Sequence, residues 1–239
     1  PITIADYDRA RGTISIVVQQ VGATTTLVCA LEAGDDLLDV VGPLGSPIEV
    51  PAGAHVCGVG GGFGSAVLLG LMRELKAAGQ KTTAIIGARN QDLLILADEL
   101  KPLCDHLAIC TDDGSAGFKG FVSQQLERFI AGEGPGRPDL VVAIGPMAMM
   151  RAVAETTRAP KVKTLVSMDP LMVDGTGMCG GCRVMVGGKA QFACVDGPAF
   201  DAHEVDFEVA MRRNKAYVKE EKLALERVNC TRSAAKELH

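Results

Sequence analysis

From Ala54 to Met168 short apolar runs alternate with amphipathic stretches, and glycines or polar residues cluster at the junctions. "AHVCGVG", "KTTAIIGARN", "HLAICTDDG", "DLVVAIGP" and "KVKTLVSM" read as strands, the first as a parallel strand buried on both faces. Between them, "GSAVLLGLMRELKAAG", "QDLLILADELKPLC", "FVSQQLERFIAG" and "MAMMRAVAETTRA" read as helices, the first with apolar residues every three to four positions. Alternation at this spacing predicts a doubly wound parallel sheet whose ligands bind beyond the carboxyl ends of the strands.

The flanks differ. "ITIADYD" and "GTISIVVQQV" predict strands joined by the turn "RARG". A helix is expected near Thr24, capped by the hydroxyls of "ATTT" and ended by Gly34, Asp35 and Asp36. "LLDVVGPLGSP" then reads as one more strand closed by a Gly/Pro turn. Three strands are too few for a sheet domain standing alone. After Pro198, "VDFEVAMRRNKAYVKEEKLALERV" predicts one charged helix whose sparse stripe, Phe207, Met211, Val218 and Leu225, lies across another surface.

The 239 residues accommodate one large domain or two modest ones, and 47% apolar content supports a packed core. No apolar stretch approaches the ~20 residues of a membrane span and no export signal opens the sequence, so a soluble cytoplasmic protein is expected. A net charge of −5 without a basic run argues against nucleic-acid binding. Of eight cysteines, three crowd into residues 179–194 while Cys29, Cys57, Cys104, Cys110 and Cys230 are scattered, which is metal usage rather than a disulfide framework. His55, His106, His203 and His239 form no ligand spacing.

Candidate contacts follow at the strand ends. In "GVGGGFG", Gly60, Gly61, Gly62 and Gly64 stand where backbone N–H groups and a helix N-terminus approach a pyrophosphate; a tight strand-to-helix turn is the plainer alternative. Arg89 could meet a ribose 2′-phosphate and Asn90 plain ribose hydroxyls, which leaves NADP against NAD open. Asp112 and Asp113 are either paired carboxylates or, the favoured reading, a turn cap beside a ribose. Gly145, Pro146 and Met147 complete the nucleotide set, although Met147, Met149 and Met150 also suit a helix core.

The segment "VDGTGMCGGCRVMVGGKAQFACVDGP" carries the sharpest pattern. Asp174-x4-Cys179-x2-Cys182-x11-Cys194 is the plant-type [2Fe-2S] frame with a carboxylate in its first slot. Aspartate is anionic like a thiolate but a harder donor. A structural zinc held by one carboxylate and three thiolates is the rival.

"PITIAD", "LLDVVGPLGSP", "GVGGGFG", "GARN", "TDDGSAGFKG", "AIGPMAMM" and "MVDGTGMCGGCRV", in this order, resemble the small subunit of NADH-dependent reduced ferredoxin:NADP+ oxidoreductase, a flavin-based bifurcating enzyme. That subunit type is also called sulfide dehydrogenase subunit β, and the electron-transfer subunit of dihydroorotate dehydrogenase is a more distant relative. The resemblance covers nearly the whole chain. It implies a ferredoxin-reductase-like fold: part of a FAD-binding β-barrel over 1–50, an NAD(P)-binding α/β domain over 51–165, a [2Fe-2S] segment over 166–200 and a helical tail over 201–239. Pro1, Ile2 and Thr3 match the end of the flavin motif Arg-x-Pro-x-Ser/Thr, which implies that the sequence begins partway through the barrel. Gly22, Thr24 and Thr25 correspond to the FAD pyrophosphate segment. The implied activity is an electron-transfer oxidoreductase: hydride exchange between NAD(H) and FAD, then single electrons passed through the cluster to a larger flavoprotein with [4Fe-4S] clusters, which handles NADP(H) and ferredoxin. The alternatives are a dihydroorotate-type electron-transfer subunit and a zinc-stabilised nucleotide-binding regulator. The tail, Val205 to Val228, is the candidate docking element for the partner, unless it packs only on its own chain.

Overall fold

The computed structural model describes residues 2–236. It opens with a hairpin, β1 (Ile4–Asp8) and β2 (Thr13–Ile16), and a short helix, α1 (Ala23–Val28). The alternating region follows: β3 (His55–Gly61), α2 (Gly64–Ala77), β4 (Lys81–Ala88), α3 (Ala97–Leu100), β5 (His106–Thr111), β6 (Phe118–Lys119), α4 (Val122–Ile130), β7 (Leu140–Ile144), α5 (Met147–Arg158) and β8 (Lys163–Ser167). A second hairpin, β9 (Arg183–Val186) and β10 (Lys189–Phe192), precedes β11 (Ala199–Asp201), α6 (Phe207–Asn214) and α7 (Val218–Lys236). No helix among the described residues is long and apolar enough to cross a membrane.

The main sheet has the order β11-β8-β7-β3-β4-β5-β6, parallel except for β11. The chain runs outward from β3 to β6 and then crosses back to β7, so the direction of winding reverses between β3 and β7. That reversal opens a crevice at the carboxyl ends of these two strands. β3 and β7 are buried throughout, as their continuous apolar sequence requires. One face of the sheet packs Val56, Ile86, Leu140 and Val142 against Leu68 and Met72 of α2. The other packs Val59, Ile85 and Val141 against Leu126, Phe129, Met150 and Val153, and its apolar cluster continues into Cys182, Val184, Cys194, Phe200 and Phe207. The cysteine segment is therefore built onto the sheet's own core.

Four expectations need correction. "LLDVVGPLGSP" forms no strand: the Gly45 and Ser46 N–H groups donate to the carbonyls of Cys194 (2.8 Å) and Gly197 (2.6 Å), and Pro43 and Pro47 have no N–H to give a ladder. "QDLLILADELKPLC" is not one helix but two 3-10 turns, Gln91–Leu93 and Lys101–Leu103, around the single turn of α3. Leu96 there takes a left-handed φ of 58°, and Leu100 is fully buried against the α2 face. The charged tail is two helices, because Phe207 and Ala210 are buried on the sheet core and hold α6, whereas α7 runs on to pack against α1. The early helix also stops at Val28, six residues before Gly34.

Candidate functional site

The loops after β3 and β7 meet backbone to backbone at the crevice. A side chain at Gly64 would overlap the Ile144 carbonyl, and one at Gly145, whose φ is 152°, would stand 2.9 Å from the Gly61 carbonyl. Gly60 and Gly61 are filled in the same way by Leu68 and by Met149 with Pro146. Only Gly62 of this run, at φ 53°, faces open space. Packing thus accounts for most of the glycines, and the open approach narrows to Gly62 and the start of α2. Met150 is fully buried and Met149 packs over Gly61, so these methionines belong to the core.

The ends of β4 and β5 are laced together. The N–H groups of Asp112 and Asp113 donate to the carbonyls of Ala88 (3.2 Å) and Arg89 (3.3 Å). Asp113 Oδ1 accepts from the Ser115 hydroxyl (2.6 Å) and N–H (2.9 Å), which hold its carboxyl below the ordinary carboxylate range. Ser115 Oγ in turn accepts from the Gln91 N–H at 2.8 Å. Asp113 is therefore a turn-former, while Asp112 and Arg89 are exposed. Asn90 Oδ1 is buried and, among the described residues, has no partner. It is an unused acceptor just past the end of β4, the strand beside β3, and the kind of group a ribose hydroxyl satisfies.

In the first fifty residues, Ile2 and Thr3 are exposed beside β1, and Pro1 lies outside the described residues. Thr25 Oγ1 accepts from the N–H groups of Val21 (3.0 Å) and Gly22 (2.9 Å) and donates to the Gly22 carbonyl, so its capacity is used in capping α1. Thr24 remains exposed there.

The cysteine loop brings its four candidate ligands together as two pairs. Asp174 accepts from the Thr176 N–H (Oδ1, 2.9 Å) and the Cys179 N–H (Oδ2, 3.1 Å), led by the Thr176 bond in holding its carboxyl below the usual range. Lone pairs on both oxygens remain free. Cys182 and Cys194 are buried side by side, with the Cys194 N–H 3.5 Å from Cys182 Sγ. Burial first, and the Cys182 thiol next, push the Cys194 thiol up, so Cys194 holds a proton that a bound metal displaces. The Gly181 N–H lies 3.4 Å from Cys179 Sγ. Among the described residues no three His, Cys, Asp or Glu side chains converge on one point. Two donor pairs with backbone N–H groups on the sulfurs fit a binuclear cluster, in which each iron takes two protein ligands. Cys57 and Cys110 lie in the sheet core, where burial pushes the Cys110 thiol up to about 12.

Two sets of contacts escaped the sequence. Residues 44–46 latch the cysteine loop: Leu44 packs against Gly175, and the Ser46 hydroxyl donates to the Val195 carbonyl at 2.9 Å. Arg213 of α6 donates to the Gly181 carbonyl at 3.1 Å. Neither carries a local sequence signal.

Sheet order, crevice and cysteine loop together define a ferredoxin-reductase-like protein with an appended iron-sulfur segment. The cytochrome b5 reductase domain of Ulva prolifera nitrate reductase shares the fold, at a TM-score of 0.54 and 20% identity over 66% of this chain and 71% of that one. The model of the iron-sulfur cluster binding domain of dihydroorotate dehydrogenase B matches residues 169–206. A dihydroorotate dehydrogenase B (NAD(+)) electron transfer subunit homolog from Thermotoga maritima is 44% identical, covering 95% of this chain and 79% of the relative. A solved structure of NADH-dependent reduced ferredoxin-NADP oxidoreductase, described for flavin-based electron bifurcation, matches at 43% identity and a TM-score of 0.87, over 95% of this chain and 81% of that one. This chain belongs to the family of dihydroorotate dehydrogenase B electron-transfer subunits and their homologues.

Proposed function

We propose that the protein is the electron-transfer subunit of a flavin-based NAD(H) oxidoreductase complex, with FAD, NAD(H) and a [2Fe-2S] cluster as its redox groups. The observation that carries this reading is the cysteine loop: two donor pairs, Asp174 with Cys179 and Cys182 with Cys194, on the core of a nucleotide-binding sheet. When bound, the flavin exchanges hydride with the nicotinamide and single electrons with the cluster, so the protein's task is placement.

This chain's residues divide that task. Gly62, whose own N–H is given to the Gly87 carbonyl at 2.9 Å, leaves open space at the start of α2, where the helix N-terminus would face a pyrophosphate, and Asn90 Oδ1 would accept from a ribose hydroxyl, which favours NADH over NADPH. Ile2, Thr3 and Thr24, which are exposed, and the half-buried Gly22 would hold the flavin. Leu44, Gly45 and Ser46 fasten the flavin-side segment to the cluster loop. The partner is a larger flavoprotein carrying [4Fe-4S] clusters, through which ferredoxin and NADP(H) are reached, and the assembly works in the cytoplasm. The tail contributes less to docking than its charge implied, since α6 packs on the sheet core and α7 on α1.

Iron, acid-labile sulfide and flavin per chain, with the visible spectrum before and after NADH, test the reading. About two irons and two sulfides per chain and a spectrum bleached by NADH are expected. Zinc without sulfide in a colourless protein would replace it with the nucleotide-binding regulator.

A further inference from the structure

The cysteine loop takes a hydrogen bond from beyond the 169–206 segment: Arg213 Nη2 donates to the Gly181 carbonyl at 3.1 Å. Arg213 Nε is buried and, among the described residues, has no hydrogen-bond partner. A buried N–H left without an acceptor is costly, so this guanidinium has bonding capacity to spare beside the loop. Arg183 and Arg212 line the same groove between the β9-β10 hairpin and α6. None of the three arginines forms an ion pair among the described residues. The uncompensated positive charge therefore stands beside the peptide that joins Gly181 to Cys182.

That peptide is planar and trans, so its carbonyl and its N–H point in opposite directions. A guanidinium on the Gly181 carbonyl turns the Cys182 N–H to the far side of the loop. The Gly181 N–H already lies 3.4 Å from Cys179 Sγ, so Arg213 fixes the segment between two candidate ligands from outside the loop. One-electron reduction of a cluster held here adds one negative charge, and a fixed cation stabilises the more negative form.

We propose that Arg213 is a positioning residue of the cluster site: its hydrogen bond orients the Cys179–Cys182 turn, and its charge makes the cluster easier to reduce. The proposal rests on the reading of this loop as a cluster site. It gives α6 a function within its own chain that the charged sequence of the tail did not reveal.

The test is a potentiometric titration of the full chain with its cofactors, followed by the electron paramagnetic resonance signal of the reduced cluster, with iron and sulfide measured for each variant. Arg213→Gln is expected to make reduction about tenfold less favourable, equivalent to ~59 mV more negative for a one-electron couple. Arg213→Lys keeps the charge but not the planar fork, and should shift the potential less. Arg212→Gln removes the same charge from the same groove without touching Gly181, and should leave the potential nearly unchanged. An unchanged potential in Arg213→Gln, or equal shifts in Arg212→Gln and Arg213→Gln, would overturn the proposal. Should Arg213→Gln shed its cluster, Arg213→Lys decides: a retained cluster near the native potential upholds the role, and its loss refutes it. An unsubstituted chain that holds no iron or sulfide refutes the cluster reading itself, a result no Arg213 variant can imitate.

Discussion

The sheet region and the first fifty residues are both rich in apolar side chains, yet they use them in opposite ways. Around β3 and β7 those side chains are buried on both faces, and the cysteine loop shares that core through Cys182 and Cys194. In residues 2–50, β2 is exposed along its whole length, Ile14 is 52% exposed and Leu38 entirely so. This segment is held instead at a few points on other elements. Tyr7 and Asp6 reach Glu74 and Arg73 of α2, and Gly45 and Ser46 bond the cysteine loop. Apolar content alone does not make a core; partners distant in sequence do. The cysteine loop is thus anchored mainly by packing, and the first fifty residues mainly by directed polar contacts, with Ala5, Leu44, Ile48 and Val50 as their few apolar anchors.

The largest test of this contrast is a pair of truncations. Leu68→Ala removes a fully buried side chain that packs on Ile86 and Leu140, and should cost about 2–5 kcal/mol in urea unfolding. Ile14→Ala, on the exposed hairpin, should stay within about 0.5 kcal/mol. A comparable loss in Ile14→Ala would show that the β2 face is covered in solution, and would break the contrast.

A smaller effect is expected where the two regions join. Gly45 has a φ of 82°, and a side chain there would overlap the Gly197 carbonyl. Gly45→Ala should strain the latch by about 1–3 kcal/mol, felt at the neighbouring Cys194 carbonyl rather than across the sheet. The measurement is the rate of iron release to a chelator, expected to rise several-fold with little change in the urea midpoint. A midpoint that falls as far as in Leu68→Ala would mean that the latch is part of the core.

The same division explains what the sequence made legible. β3 and β7 announce themselves as unbroken apolar runs, and the cysteine frame is a local spacing, so sheet, crevice and candidate ligands could all be read in advance. What stayed hidden depends on distant partners. The two-residue strand β6 and the three-residue strand β11 exist only as additions to an edge already built. "LLDVVGPLGSP" has the composition of a strand, but the acceptors for Gly45 and Ser46 lie about 150 residues away, in Cys194 and Gly197. Arg213 belongs to a charged tail expected to lie across another surface through Phe207, Met211, Val218 and Leu225, and nothing in that pattern marks a guanidinium that ends on the cysteine loop. The turns around Leu96 replace a helix because Leu100 is drawn into the α2 face, which periodicity cannot report.

The smallest expected effect tests the buried side of the contrast at the floor of the sheet. His55, 7% exposed, places Nδ1 at 3.2 Å from the Arg137 carbonyl and Nε2 at 2.8 Å from the Thr83 hydroxyl. A carbonyl only accepts, so Nδ1 carries the proton and neutral Nε2 accepts from Thr83. Burial, and then the Lys81 charge, push the imidazole below its ordinary value of 6.5, against smaller opposing pulls from the Arg137 carbonyl, Asp139 and Asp105. Above 6.5 the ring is neutral in both folded and unfolded chains and adds no pH dependence. As pH falls below 6.5 the unfolded chain takes up the proton first, so stability declines until the depressed folded value is passed. The urea midpoint should therefore drop between pH 7.5 and 5.5, and His55→Gln should remove part of that drop while lowering stability at pH 7.5. Equal drops in the two proteins would mean that His55 is protonated as readily within the fold as outside it, and that this corner of the sheet is as open to water as the hairpin.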